Sequence, residues 1–180
     1  MFQAALGPPA TPAPVMVRNA AMVQAAVFDA VNGIERRYTH IRVEPAAPRG
    51  ASRRAAAVQA AYGVLVKLYP GQKTALDADL ASSLAAIASY AAVENSQSIA
   101  RGIEWGKTVA SAIWAFDDHF NNAPPTIVDG TNPGEWRRTP PGFANPLGAQ
   151  FPNMIPWSIV SPSQFRPDGP PALGSARYAT

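Results

Sequence analysis

The stretch "AAAVQAAYGVLVKLYPGQKTALDADLASSLAAIA", residues 55–88, decides the fold class of this chain. Alanine and other helix-forming residues fill both sides of a Pro-Gly pair at 70–71, and such a pair ends a helix sharply. Before the pair, Ser52 is placed to cap a helix that runs to about Tyr69. After the pair, a helix is predicted near residues 72–90. So short a turn predicts that the two helices form an antiparallel hairpin.

Helical spacing continues on both sides of this hairpin. Before it, a helix is predicted from about Val17 to the Asn-Gly pair at 32–33, where glycine tolerates the C-cap conformation. After it, a fourth helix is predicted over about 93–118, with Gly102 and Gly106 placed to let another helix approach closely. The apolar residues expected on the packed faces of the four helices are, in chain order, Val17, Ala20, Ala21, Val27, Phe28, Val31 and Ile34; Val58, Tyr62, Leu65 and Tyr69; Leu76, Leu80, Leu84 and Ile87; and Ile99, Ile103, Val109, Ile113 and Phe116.

Prolines mark both ends of the helical region, which is predicted to cover residues 17–119. Residues 1–16 contain four prolines and are therefore predicted to form an extended arm. Residues 121–180 hold twelve of the nineteen prolines and show no helical period. Residues 120–180 are predicted to be an extended strap, with Ser175 placed to cap the start of a further helix.

Large apolar side chains distinguish the strap from a flexible linker, because such groups require a surface to lie on. The aromatic residues in question are Trp136, Phe143, Phe151, Trp157 and Phe165, of which Trp136, Phe143, Trp157 and Phe165 are predicted to be structural anchors. The sequence therefore predicts an all-α fold: about four Ala-rich helices in a bundle-like array, followed by a long Pro-rich, aromatic-anchored extended strap.

Composition excludes several classes of function. The chain is 47% hydrophobic and 15% charged, and its net charge of +3 is too small and too scattered to predict nucleic-acid binding. The absence of cysteine excludes disulfides, thiolate metal sites and cysteine nucleophiles. The N-terminus does not have the pattern of a signal peptide, and the longest apolar stretch, residues 55–66, is too short to span a bilayer. A soluble chain with no membrane span is expected, in an undetermined compartment.

The residues that could carry chemistry do not form a catalytic pattern. His119 follows Asp117 and Asp118, but consecutive helical residues point in different directions, so this trio is not expected to bind a metal. The other histidine, at position 40, has no adjacent carboxylate, and the "DGTNPG" turn at 129–134 lacks the regular oxygen spacing of a calcium loop. Two helical acids, Asp29 and Glu104, are expected to be buried partners of arginine. The residues therefore predict no catalytic, cofactor-binding or metal site.

Four segments nevertheless resemble a known family. In chain order they are "RNAAMVQAAVFDAVNGIERRY" (18–38), "LYPGQKTALDADLASSLAAI" (68–87), "GTNPGEWRRTPPGF" (130–143) and "SPSQFRPDGPPALGSARYA" (161–179). They resemble the N-terminal half of bacterial vanadium-dependent haloperoxidase-like proteins, which belong to the type 2 phosphatidic acid phosphatase superfamily. The resemblance implies that the strap joins two helical halves, that the catalytic half lies outside this chain, and that the complete protein oxidises halide with peroxide.

The same resemblance implies a vanadate or phosphate group in the complete protein, held by lysine, arginines, backbone amides and a histidine. The only Arg-Pro in this chain is at 166–167, and Ile159 occupies the place of the lysine in that pattern. No Ser-Gly-His sequence exists here. None of the family's anion-binding residues can therefore be assigned to this chain.

Three functional hypotheses follow. The chain is the non-catalytic N-terminal part of a haloperoxidase-like enzyme, the corresponding part of an acid phosphatase of the same superfamily, or a self-sufficient helical module that binds a partner protein through the aromatic residues of the strap. The expected partners are the missing C-terminal half in the first two cases, another protein in the third, and a second copy of the chain in a homo-oligomer.

Overall fold

The computed structural model describes residues 13–90, 94–116 and 126–179. These residues form four α-helices and no strand, as the sequence predicts: α1 is Ala13–Glu35, α2 is Arg53–Leu68, α3 is Lys73–Ala88 and α4 is Ser96–Phe116. Short 3-10 turns cover Pro70–Gln72 and Phe151–Asn153. The chain divides into two compact units, with the boundary between residues 118 and 119.

The hairpin of α2 and α3 forms for the reasons that its sequence indicates. The Ser52 hydroxyl accepts a hydrogen bond from the amide of Ala55 at 3.1 Å, which confirms the predicted cap. At the other end of α2, the amide of Tyr69 donates to Leu65 O at 2.8 Å, and the turn at Pro70–Gln72 follows at once. The two helices then contact each other across this turn.

The first helix begins earlier than predicted. Residues 13–16 belong to α1, so the prediction of an extended arm is wrong for them. Pro14 lies in the first turn of the helix, where an amide hydrogen has no partner within the helix and its absence costs little. The rest of the predicted arm, residues 1–12, lies outside the described residues.

Helix α2 is the centre of the helical unit, because it contacts α1, α3 and α4. The predicted role of the two glycines in α4 is confirmed: a Cβ on Gly106 would lie 2.6 Å from Ala56 O of α2, and a Cβ on Gly102 would collide with Ser52 O. Trp105, between them, is buried and donates its indole N–H to Ala30 O of α1 at 2.9 Å. Helix α4 therefore packs at backbone distance from α2, and its Trp105 side chain reaches the backbone of α1.

The face of α1 that packs against α2 and α4 is not the predicted one. The predicted residues lie outside the core: Val17 is 71% exposed, and the other six are only half-buried. The buried face combines small residues with Met22 and several polar side chains, and at Gly33 only a glycine fits, because a Cβ there would collide with the ring of Trp105. The residues of α1 that are buried are Arg18, Asn19, Met22, Ala25, Ala26, Asp29, Ala30, Asn32 and Gly33.

The second unit is built from turns. None of its described residues, 126–179, is buried. The further helix predicted from Ser175 is not formed among the described residues: the amide of Tyr178 donates to Ser175 O at 3.0 Å, which closes a turn, and the Ser175 hydroxyl donates back to Ala172 O at 2.7 Å instead of capping a helix. This short run of turns falls below the length at which helix formation becomes cooperative.

Candidate functional site

The most highly organised part of the second unit is the segment 127–146, here called the Trp136 loop. It contains the "GTNPGEWRRTPPGF" segment. The amide of Gly130 donates to Trp136 O at 2.9 Å and closes the loop. Gly130 allows this closure because a Cβ there would collide with the side chain of Glu135. Gly134 has a φ of 85°, which favours glycine at that turn.

Glu135 holds one side of the loop. Its carboxylate accepts hydrogen bonds from the amides of Thr131 at 2.9 Å and Asn132 at 3.0 Å, and from the Asn132 side chain at 2.9 Å. These donors, the Asn132 side chain first, lower the pKa of Glu135 below its usual value of 4.5. The carboxylate is therefore a structural acceptor within the loop.

Titration of Glu135 tests this arrangement. A depressed pKa in the folded loop means that the carboxylate stabilises the loop above its unfolded pKa, and that this stabilisation is lost as the pH falls through the folded pKa. A carboxyl-carbon NMR titration should give a midpoint below 4.5 for Glu135. Asn132→Ala removes the largest cause and should return the midpoint toward 4.5. A midpoint at or above 4.5 in the unmodified chain would contradict the arrangement.

Arg138 holds the other side of the loop. Its guanidinium donates to Asp129 Oδ1 at 2.7 Å, to Asn145 Oδ1 at 2.8 and 3.1 Å, and to Ile127 O at 3.4 Å. Both edges of the planar group are therefore occupied by protein oxygens. Asp129 is engaged in the same ion pair.

An apolar cleft of about 510 Å³ opens on the Trp136 loop. Its lining includes Ile127, Val128, Trp136 and Pro146, with Glu135 as the acidic member. Because the charged groups of Glu135 and Arg138 are bonded to other groups of the loop, the lining of this cleft is mainly apolar. An arrangement of this kind favours contact with apolar groups.

The predicted aromatic anchors do not form a core. Trp136 is 48% exposed, Phe143 is 58% exposed and Phe165 is 77% exposed. Trp157 and Phe151 are half-buried. Aromatic anchoring of the strap is therefore not confirmed, because most of these rings remain accessible to solvent and none of the five is buried.

The two acids that were predicted to be buried differ in their burial and in their partners. Asp29 is fully buried, but the hydrogen bonds that the described part of the chain shows to its carboxylate come from the amides of Ile41, Arg42 and Val43, at 2.8, 2.8 and 2.9 Å, and not from a guanidinium. Glu104 is exposed and pairs with Lys107 at 2.8 Å on the same helix. The prediction that arginine pairs with both acids in the core is therefore wrong. For Asp29 the burial is as predicted but the partners are backbone amides, and Glu104 is not buried. Asp29 positions the loop that follows α1.

Among the described residues, no metal-binding group forms around a histidine. His119, Asp117 and Asp118 lie outside the described residues. Within the described ranges, no group of three or more histidine, aspartate or glutamate side chains is arranged to hold a metal. Arg166 is exposed and Ile159 is 39% exposed, and the guanidinium of Arg138 is occupied. The residues that the structure describes do not fit a cage for vanadate or phosphate.

None of the helices in residues 13–90 and 94–116 combines the length and the apolar composition that crossing a bilayer requires. Comparison of the chain with family models, with curated proteins and with solved structures found no match.

Proposed function

We propose that this chain is the N-terminal, non-catalytic part of a vanadium-dependent haloperoxidase-like enzyme. The proposal starts from the resemblance of four segments, in the family's order, across residues 18–179. In the complete protein, vanadate would supply peroxide activation for halide oxidation. The residues that hold vanadate would come from the catalytic half, because this chain supplies none of them.

The observation that carries the proposal is the exposed apolar surface of the strap. Residues 126–179 include no buried residue, yet the Trp136 loop is closed by its own hydrogen bonds. Organised apolar surface of this extent is typical of an interface with another polypeptide. The large hydrophobic side chains that remain exposed are Val128, Trp136, Phe143, Leu147, Ile155, Ile159, Val160, Phe165, Leu173 and Tyr178.

The same observation supports the alternative of a helical protein-interaction module, in which a separate protein covers the strap. An acid phosphatase of the same superfamily is the other alternative, and it differs from the first proposal only in the chemistry of the catalytic half. Assays of bromination and of phosphomonoester hydrolysis distinguish both alternatives from the haloperoxidase proposal.

The activity test compares two proteins: this chain, and the translation product of the complete reading frame from which it comes. With vanadate, peroxide and bromide, the complete product should brominate a phenol dye, and this chain alone should not. Hydrolysis of a phosphomonoester without bromination would favour the phosphatase. Absence of both activities from the complete product would contradict the enzyme proposals and favour the interaction module.

Substitution of Trp136 tests whether the strap is stabilised from outside this chain. Because the side chain is 48% exposed, Trp136→Ala in this chain alone should lower the free energy of unfolding by less than about 1 kcal/mol. In the complete protein the same change should cost about 3 kcal/mol, because the indole would be buried at the interface. Thermal unfolding of the four proteins measures both differences. An equal, small effect in the two backgrounds would contradict the proposed interface.

A further inference from the structure

Helix α3 is held in the helical unit by fewer buried residues than the other helices. Its buried residues are Leu76 and Ile87, whereas α1 buries nine residues, α2 seven and α4 six. Helices α1, α2 and α4 all pack against one another, but α3 packs mainly against α2 and the turn at Pro70–Gln72. Detachment of α3 would therefore break its contact with α2 and leave the three contacts among the other helices in place.

The helical conformation of α3 depends on its contact with α2. Ten of its sixteen residues are exposed, and Leu80 and Leu84, which were predicted to lie on its packed face, are only half-buried. Isolated helices of about 15 residues are marginally stable in water, even when they are rich in alanine. A detached α3 is therefore expected to unfold and not to remain as a free helix.

Contacts at both ends of α3 hold it to α2. Near the turn, Leu76 packs in a small apolar cluster with Leu65 and Tyr69. Beyond the other end of α3, the Tyr90 ring centroid lies 5.0 Å from Cζ of Arg54, in the first turn of α2. Tyr90 is 58% exposed and Arg54 is exposed, so this cation–π contact is a weak one.

A hydrogen bond between side chains joins α3 directly to α2. The Tyr62 hydroxyl of α2 donates to Asp77 Oδ1 of α3 at 2.6 Å. Lys73 Nζ, one turn earlier in α3, donates to Asp77 Oδ2 at 2.6 Å and favours the charged form of the carboxylate. Hydrogen bonds to a charged acceptor are stronger than hydrogen bonds between neutral groups. The Tyr62–Asp77 bond is therefore the strong polar contact that α3 loses when it leaves α2.

The chain on either side of α3 is fixed by hydrogen bonds that do not involve α3. Before it, the amide of Tyr69 donates to Leu65 O at 2.8 Å. After it, the amide of Ser52, which caps α2, donates to Ser98 O in the first turn of α4 at 2.9 Å. Both attachments can remain when α3 detaches, so α3 is a segment between two fixed ends.

We propose that α3 is a locally unfolding cover of α2: it detaches and unfolds as one unit while α1, α2 and α4 stay packed, and the Tyr62–Asp77 bond sets how often this occurs. Detachment uncovers the apolar surface formed by Tyr62, Leu65, Val66 and Tyr69. The protein would present this surface only while α3 is detached. The proposal concerns the helical unit alone, so it does not depend on the proposed function of the chain.

Amide hydrogen exchange of the unmodified chain tests whether α3 opens separately. Relative to their intrinsic rates, the amides of Leu80 and Leu84 in α3 should exchange at least ~100-fold faster than those of Val64 in α2 and Val109 in α4. The two valines are fully buried and should exchange only when the packed helices unfold. Equal protection of all four amides would overturn the proposal.

Gly106→Ala distinguishes local opening of α3 from unfolding of the whole helical unit. The added methyl would lie between α4 and α2, so exchange at Val64 and Val109 should accelerate. Exchange at Leu80 and Leu84 should stay within about twofold, because α2 and α4 stay packed when α3 opens. Equal acceleration at all four amides would show that α3 opens only with the rest of the unit, which would overturn the proposal.

Tyr62→Phe tests the bond to Asp77, because it removes the hydroxyl and keeps the ring. Exchange at Leu80 and Leu84 should become about 10-fold faster. The matched control is Tyr38→Phe, at a side chain that is 67% exposed and lies outside α2 and α3, and it should change this exchange by less than about twofold. Circular dichroism should show unchanged helix content in both variants. Unchanged exchange in Tyr62→Phe, or equal acceleration in Tyr38→Phe, would overturn the role of the bond.

Discussion

Replacing Asp29 with alanine is expected to lower the free energy of unfolding by about 3–5 kcal/mol. The carboxylate is fully buried and accepts three backbone hydrogen bonds, from Ile41, Arg42 and Val43. Hydrogen bonds to a charged acceptor are stronger than hydrogen bonds between neutral groups, and alanine would leave all three amides without their acceptor. The change would also release the connection between α1 and α2 from the end of α1.

Urea unfolding measures the loss, and Asp29→Asn separates its two causes. Asparagine keeps one side-chain oxygen as an acceptor but removes the charge, so its cost should lie between zero and that of alanine. Amide hydrogen exchange at Ile41 and Val43 should accelerate in both variants. A loss of less than about 1 kcal/mol for Asp29→Ala would show that these bonds do not hold the connection.

The second large effect is expected at the contact of α2 with α4. Gly106→Ala should destabilise the protein by about 2–3 kcal/mol, although alanine is by itself the better helix former by about 1 kcal/mol. The added methyl would lie 2.6 Å from Ala56 O and 2.8 Å from the Cβ of Gln59, and a backbone oxygen cannot rotate away as a side chain can. The two helices would have to separate to admit it.

Gly71→Ala is the control for this prediction, because a Cβ at Gly71 would meet nothing within 4 Å. Its free energy of unfolding should change by less than about 0.5 kcal/mol. If Gly106→Ala unfolds at the same urea concentration as the unmodified protein, or at a higher one, the close packing of α2 and α4 is wrong.

Prolines, glycines and capping residues were sufficient to predict the four helices. The Pro-Gly pair at 70–71 and the cap at Ser52 act within a few residues, so their effects can be read locally. The predicted start of α1 is too late because of Pro14. Proline is excluded from the interior of a helix but tolerated in its first turn, where Pro14 lies. Local rules therefore fix the helices to within a few residues.

Packing faces and the Trp136 loop were harder to predict. Hydrophobicity predicted the valines of α1 as its packed face, whereas the buried face contains small residues, Met22 and polar side chains, and Gly33 lies against the Trp105 ring. In the loop, the glycines and the Asn-Pro-Gly turn are visible signals, but the pairing of Arg138 with Asp129 and Asn145 spans seven to nine residues. Such pairings follow from the path of the chain and not from its local composition.

The central claim, that this chain is the non-catalytic part of a larger enzyme, is tested most directly by the intact mass of the native protein under denaturing conditions. Denaturation removes any contribution from a dimer. The proposal predicts a single polypeptide of about twice 19.0 kDa or more, which leaves room for a catalytic half. A native polypeptide of 19.0 kDa would contradict the claim, and the protein that covers the exposed strap would then have to be a separate one.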